Sequence, residues 1–182
     1  DDDKSVDVTN LTKAELTEKE FDYTVTLTGD TSDTNSYNGK TITVTDKLPD
    51  GMNYVTDSVS ITNGTLTKAS QTGDKLTIEF TSNSNLSGGN SYVIITYKTK
   101  LSAAKANELF ATSEKSTPLT NTITNIKVTD GDTVVKEKAP GASATVTFTK
   151  LPVAPGFAKL TYASFPGLVY DSSQVCYTSG ED

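Results

Sequence analysis

The sequence predicts an all-β antiparallel sandwich. Three observations carry that expectation. Apolar residues recur at every second position over most of the chain, turn-forming residues interrupt them at fairly regular intervals, and threonine makes up about one residue in six, against ordinary usage in which other residues lead. Period-two alternation marks a strand with one buried face. Threonine suits the solvent side of such a strand, because its branched side chain fits a pleated surface. Many short strands with one apolar face each bury those faces by stacking as two sheets.

In chain order, Val6 and Val8 alternate with Ser5, Asp7 and Thr9. Phe21, Tyr23, Val25 and Leu27 alternate with Asp22, Thr24 and Thr26. Ile42, Val44 and Asp46 share a parity opposite Thr41, Thr43 and Thr45. Val59 with Ile61, then Leu76-Ile78-Phe80, then Tyr92 through Tyr97 give further strands. Leu119, Asn121, Ile123 and Asn125 share one face of the next, Val134 and Val135 follow Asp130-Gly131-Asp132, and Ala144, Val146 and Phe148 close the series. Pro49-Asp50-Gly51, Asn63-Gly64, Gly73-Asp74, Gly88-Gly89 and Pro140-Gly141 punctuate the runs. One segment departs from the pattern. Between Ser102 and Ser113, alanines, Leu109 and Phe110 form a helical stripe that Ser102 is placed to cap, so one short crossover helix is expected.

The alternating domain occupies residues 1–150. From Pro152 onward the character changes: three prolines, five aromatics and the single cysteine, Cys176, fall in residues 151–182. That stretch reads as a foreign tail, a linker into another domain, or an extra strand. A strand there would suit donation to a neighbouring subunit.

Composition excludes several classes of function. Net charge is −7, every basic residue is lysine, and histidine is absent. Nucleic acid and anionic membranes both call for clustered cations, and no apolar run reaches membrane-spanning length. Histidine-dependent nucleophilic catalysis is ruled out, and zinc is disfavoured with a single cysteine. No cofactor motif is present. The acidic loops Asp30–Asn35 and Asp130–Asp132 offer oxygens to calcium, yet aspartate, asparagine and glycine are also what turns use, which is the better reading. No metal site is assigned.

Two stretches carry a resemblance. Tyr23-Thr24-Val25-Thr26-Leu27 is followed by Val44-Thr45-Asp46-Lys47-Leu48-Pro49-Asp50-Gly51-Met52-Asn53-Tyr54. Later, Leu119-Thr120-Asn121-Thr122-Ile123-Thr124 precedes a turn and Ala144-Thr145-Val146-Thr147. In this order they resemble the isopeptide-forming domains of Gram-positive fimbrial proteins and surface adhesins, over roughly residues 4 to 150. The family more often has alanine where Ile123 stands. The resemblance implies an immunoglobulin-like sandwich at the bacterial cell surface or wall, not an enzyme, in which a first-strand lysine is joined to a late-strand asparagine beside an acid. Some relatives of this fold lack the bond.

By position the resemblance implies Lys4 as the amine, Asp46 as the proton shuttle and Asn121 as the amide, with Asn125 the alternative. The chemistry explains the trio. A lysine must be neutral to attack an amide, and burial favours that form. A protonated acid polarises the amide carbonyl, and burial favours that form too. Parity puts all three on apolar faces. Two readings of Lys4 stay open, because Asp1-Asp2-Asp3-Lys4 also resembles the end of an engineered protease site; Lys13 and Lys40 are the substitutes, the latter with the wrong parity. The expected function is a structural module passing tension between neighbouring domains or subunits. The alternative is an adhesin domain binding a host protein or glycan, for which Tyr37 and Tyr54 are the loop-region aromatics before the tail.

Overall fold

A computed structural model describes residues 3–150. The expectations for residues 151–182, including Cys176 and the donated strand, lie outside the described residues. Among these there are eleven strands and two short helices, in the order β1 (Lys4–Asp7), α1 (Lys13–Glu18), β2 (Glu20–Thr28), β3 (Thr41–Lys47), β4 (Met52–Tyr54), β5 (Ser60–Thr62), β6 (Gly64–Thr72), β7 (Lys75–Ser82), β8 (Tyr92–Leu101), α2 (Ala103–Ala111), β9 (Ser116–Asp130), β10 (Thr133–Lys138) and β11 (Ser143–Thr149).

The strands form two sheets. One runs β1-β11-β9-β3-β7-β6, with β10 added along β9; the other runs β2-β8-β4, with β5 added along β8. Alternating residues from both make one core. Ile42 and Val44 of β3, Leu76, Ile78 and Phe80 of β7, and Val93, Ile95 and Tyr97 of β8 are all essentially inaccessible to solvent. Their partners in the alternation, such as Thr41, Thr43 and Thr45, face outward. The sandwich is immunoglobulin-like, as expected. Among the named strands all pairings are antiparallel but one: β1 runs parallel to β11, from Lys4 opposite Val146 to Asp7 opposite Thr149.

Helix α2 begins at the expected cap, where the Ser102 hydroxyl accepts from the Lys105 amide. It buries Ala106 and Leu109. Its C-terminal end is closed from a distance: Lys150 Nζ donates to the carbonyls of Phe110 at 2.6 Å and Thr112 at 2.5 Å, a cation on the negative end of the helix. The expectation of a single helix needs correction. Helix α1 is held by a capping box, in which the Thr12 hydroxyl accepts from the Glu15 amide at 3.1 Å and the Glu15 carboxylate accepts from the Thr12 amide at 2.8 Å. Its one inward residue, Leu16, is fully buried.

A second correction concerns β9. Against β3, Thr45 lies opposite Asn125 but Asp46 lies opposite Ile123, so Thr124 is an extra residue. Such a bulge reverses the parity of the strand beyond it. Leu119, Asn121 and Ile123 face the core before it, and Val128 does so after it. Asn125 therefore does not share a face with Asn121.

Candidate functional site

The site sits between the sheets, where β3 and β9 of one meet β8 and β2 of the other. Asp46 is the last inward residue of β3; Asn121 is the inward residue one step before Ile123 on β9. Both are buried, Asp46 completely and Asn121 to 4% exposure. Their side chains meet. Asn121 Nδ2 donates to Asp46 Oδ2 at 3.0 Å and lies 2.8 Å from the Tyr97 hydroxyl. The Tyr97 hydroxyl in turn donates to the same Oδ2. Tyr97 comes from β8 on the facing sheet, so three strands of two sheets meet at one carboxylate oxygen.

The remaining oxygens are the informative ones. Asp46 Oδ1 and Asn121 Oδ1 are both buried and have no hydrogen-bond partner. An orphaned buried acceptor costs about 1–3 kcal/mol. Each belongs to one half of an acid–amide pair already joined on its other side, and a proton on Asp46 removes the buried negative charge. Burial pushes the Asp46 carboxyl up to about 6, against the lowering effect of the hydrogen bonds from Tyr97 and Asn121. Desolvation, followed by the charge of Asp46, raises the Tyr97 phenol far above its usual range. Burial also raises Tyr23, which stacks on Tyr97 with centroids 5.6 Å apart, to about 12. The Tyr23 hydroxyl donates to Met52 Sδ at 3.4 Å.

Lys4 is not brought to this pair. It is exposed, on β1, in the row of Val146 and Leu119. Asn121 lies in the next inward row, opposite Ala144. With β11 between them, the two strands are two spacings apart, roughly 10 Å, and the row offset adds about 7 Å along the strands. That exceeds the stretch of one lysine and one asparagine side chain. The inward parity inferred for Lys4 holds for its row, where Val146 and Leu119 are buried, but β1 is the edge strand and Lys4 itself is left uncovered.

Asn125 also lies elsewhere. It is half-buried, and its Nδ2 donates to Glu137 of β10 at 2.8 Å. Lys13 starts α1, and Lys40 pairs with Asp130. The acidic loop at Asp30–Asn35 spends its oxygens internally and on a cation. Asp33 accepts from Lys136 at 2.8 Å and from Tyr37 at 2.6 Å. The Lys136 ammonium beside Asp33, more than any other group, holds that carboxyl well below its usual range. Tyr37, expected as a candidate loop contact, is 5% exposed and lies under Lys136 at 5.4 Å. Tyr54 is half-buried in β4.

Sequence reasoning missed Tyr97. The signal was present, because a tyrosine in register with Val93 and Ile95 on a buried face must find a partner for its hydroxyl.

No family model matches the chain, and no curated protein matches it. Solved structures of similar fold do. The chain is 12% identical to the collagen-binding domain of Erysipelothrix rhusiopathiae surface protein RspB, covering 74% of this chain and 46% of that one at a TM-score of 0.35. It is 10% identical to ACE19, the collagen-binding subdomain of Enterococcus faecalis surface protein ACE, over 78% of this chain and 92% of that one, TM-score 0.39. It is 13% identical to BcpA, the major pilin subunit of Bacillus cereus, over 77% of this chain and 36% of that one, TM-score 0.39. The chain thus spans less than half the length of the RspB and BcpA structures. Similarity at this level says nothing of what this chain binds. By their own two sheets and single interior, residues 3–150 form an immunoglobulin-like β-sandwich domain.

Proposed function

We propose that the chain is a structural module of a bacterial surface adhesin or fimbria, an extracellular protein without enzymatic turnover. The observation that carries this reading is the buried Asp46–Asn121 contact. The two motifs that resemble the isopeptide-forming domains are 75 residues apart at these positions, and they deliver an acid and an amide to one point in the core. A sandwich selected for packing alone would do as well or better with two apolar side chains there. Neighbouring modules of the same surface protein are the partners this reading implies. Antibody raised against the domain is expected to label intact cells of the source organism; labelling that appears only after lysis overturns the assignment.

In its finer form the proposal concerns an amide bond between Lys4 and Asn121. Lys4 Nζ would attack Asn121 Cγ, the bond from Cγ to Nδ2 would break, and ammonia would leave with a proton passed through Asp46. The acid and the amide support this step, and the position of the amine does not. For Lys4 to draw level with Ala144 and Asn121, β1 must slide two residues along β11. With β1 in its present register, the intact mass of the denatured chain is expected to equal that of the sequence. A deficit of about 17 Da, one ammonia, would mean that the strand has slid and the bond has formed.

A second reading, an adhesin domain for a host protein or glycan, is favoured by one feature. The outer face of β3 and β7 sets Thr41 opposite Thr81 and Thr45 opposite Thr77, a hydroxyl-rich surface in register. Saturable binding to an immobilised matrix protein or glycan would move the assignment to it.

A further inference from the structure

We infer that β1 and β11 form a tension clamp, a pair of strands that holds the domain closed when the chain is pulled from both sides. The mechanics are set by the register alone; their use in the cell rests on the structural-module reading above. The two strands run parallel over four residue pairs. The Val8 amide extends the ladder by donating to the Thr149 carbonyl at 2.9 Å. Chain enters the pair at the start of β1 and leaves it after the end of β11. A pull on those two points runs along the strands in opposite senses, so the ladder bonds are loaded together. A hairpin pulled from its open end behaves otherwise, since each bond breaks before the next is strained. One such bond is worth only about 1 kcal/mol net, so loading several at once rather than in turn separates a strong geometry from a weak one.

Packing and anchorage act in the same direction. Val8 is 2% exposed on the β1 side, and Val146 and Phe148 are buried on the β11 side. Sliding the strands therefore drags apolar side chains out of the core. The exit of β11 is tied down by the Lys150 amide on the Lys115 carbonyl at 2.9 Å and by the Lys150 ammonium on the end of α2. Strand β11 is also held to β9 over seven residue pairs. It cannot follow β1, and the load falls on the β1–β11 ladder.

Single-molecule pulling of the full chain in two geometries tests this, with Cys176→Ser in both. One geometry loads the chain through its two ends. The other loads the N-terminal end against a cysteine introduced by Ser143→Cys, an exposed site at the start of β11, which unzips the same ladder. Unfolding of the domain releases roughly 500 Å of chain, which identifies the event in either trace. The end-to-end geometry is expected to need at least about twofold more force, because several bonds must fail together. Equal forces overturn the clamp and leave the surface assignment untouched. Conversely, antibody labelling only after lysis removes that assignment and leaves the clamp standing. Should Ser143→Cys not fold, Ala142→Cys, exposed just ahead of β11, gives the same geometry.

Discussion

Asp46→Asn is expected to make the domain more stable at neutral pH, by about 2 kcal/mol, and to flatten its response to pH between about 4 and 6. In the unfolded chain an aspartate titrates near 3.9; in the fold, burial pushes Asp46 up to about 6. Between those values the native state holds a proton that the unfolded state has released. Stability is therefore fully present below the lower value, falls as pH rises through the upper one, and is flat beyond it. A shift of roughly two pH units corresponds to about 3 kcal/mol.

Replacement by asparagine removes the charge. The new amide oxygen can accept from Asn121 Nδ2 and the Tyr97 hydroxyl, as Asp46 Oδ2 does in the native protein. Asp33 does not confuse the measurement. Its carboxyl is lowered, so its contribution is lost only as pH falls below the ordinary aspartate range. Urea unfolding of both proteins at half-unit steps from pH 4 to 8 reads the effect. Native stability that rises across this window would show that Asp46 is not held in its acid form.

The fold was legible because strands with one buried face leave an alternating trace. Runs such as Ile42-Thr43-Val44-Thr45-Asp46 and Leu76 to Phe80 needed no tertiary information. What failed to show depends on contacts distant in sequence. Strand β6 carries little alternation, because it lies at the sheet edge and much of it stays exposed. Helix α1 is a single capped turn and a half with one buried residue, too short to display a helical stripe, although Thr12 and Glu15 form the local capping signature. The bulge at Thr124 is set by the fit of β9 against β3, which no residue in β9 announces. It hid the difference between Asn121 and Asn125. Of the site, Asp46 and Asn121 were readable as polar residues on apolar faces. Lys4 followed the same rule and failed, since parity fixes the side of a sheet and not whether the facing sheet extends that far.

Asn121→Asp is expected to cost 3 to 5 kcal/mol or so at pH 7.5, of the order found when a buried charge loses its compensation. The substitution changes one nitrogen to oxygen and nothing in volume. It sets a second carboxyl where Nδ2 now stands, 3.0 Å from Asp46 Oδ2, and two carboxylates at that distance in the core cannot both ionise. The loss should shrink toward pH 4, where both take protons. The discriminating variant is the exchange, Asp46→Asn with Asn121→Asp, which restores one acid and one amide in swapped places. The Tyr97 hydroxyl touches both residues in the native protein, so it can serve the acid from either strand. The two single changes, if additive, would leave the exchange about 1 to 3 kcal/mol less stable, so recovery to the native stability would give a coupling energy of about 1 to 3 kcal/mol between the two positions. An exchanged protein as unstable as Asn121→Asp alone would mean that the acid must reside on β3, fixed by surroundings beyond its partner. A loss below about 1 kcal/mol in Asn121→Asp itself would mean that solvent reaches the pair, and burial would no longer account for the raised Asp46 carboxyl.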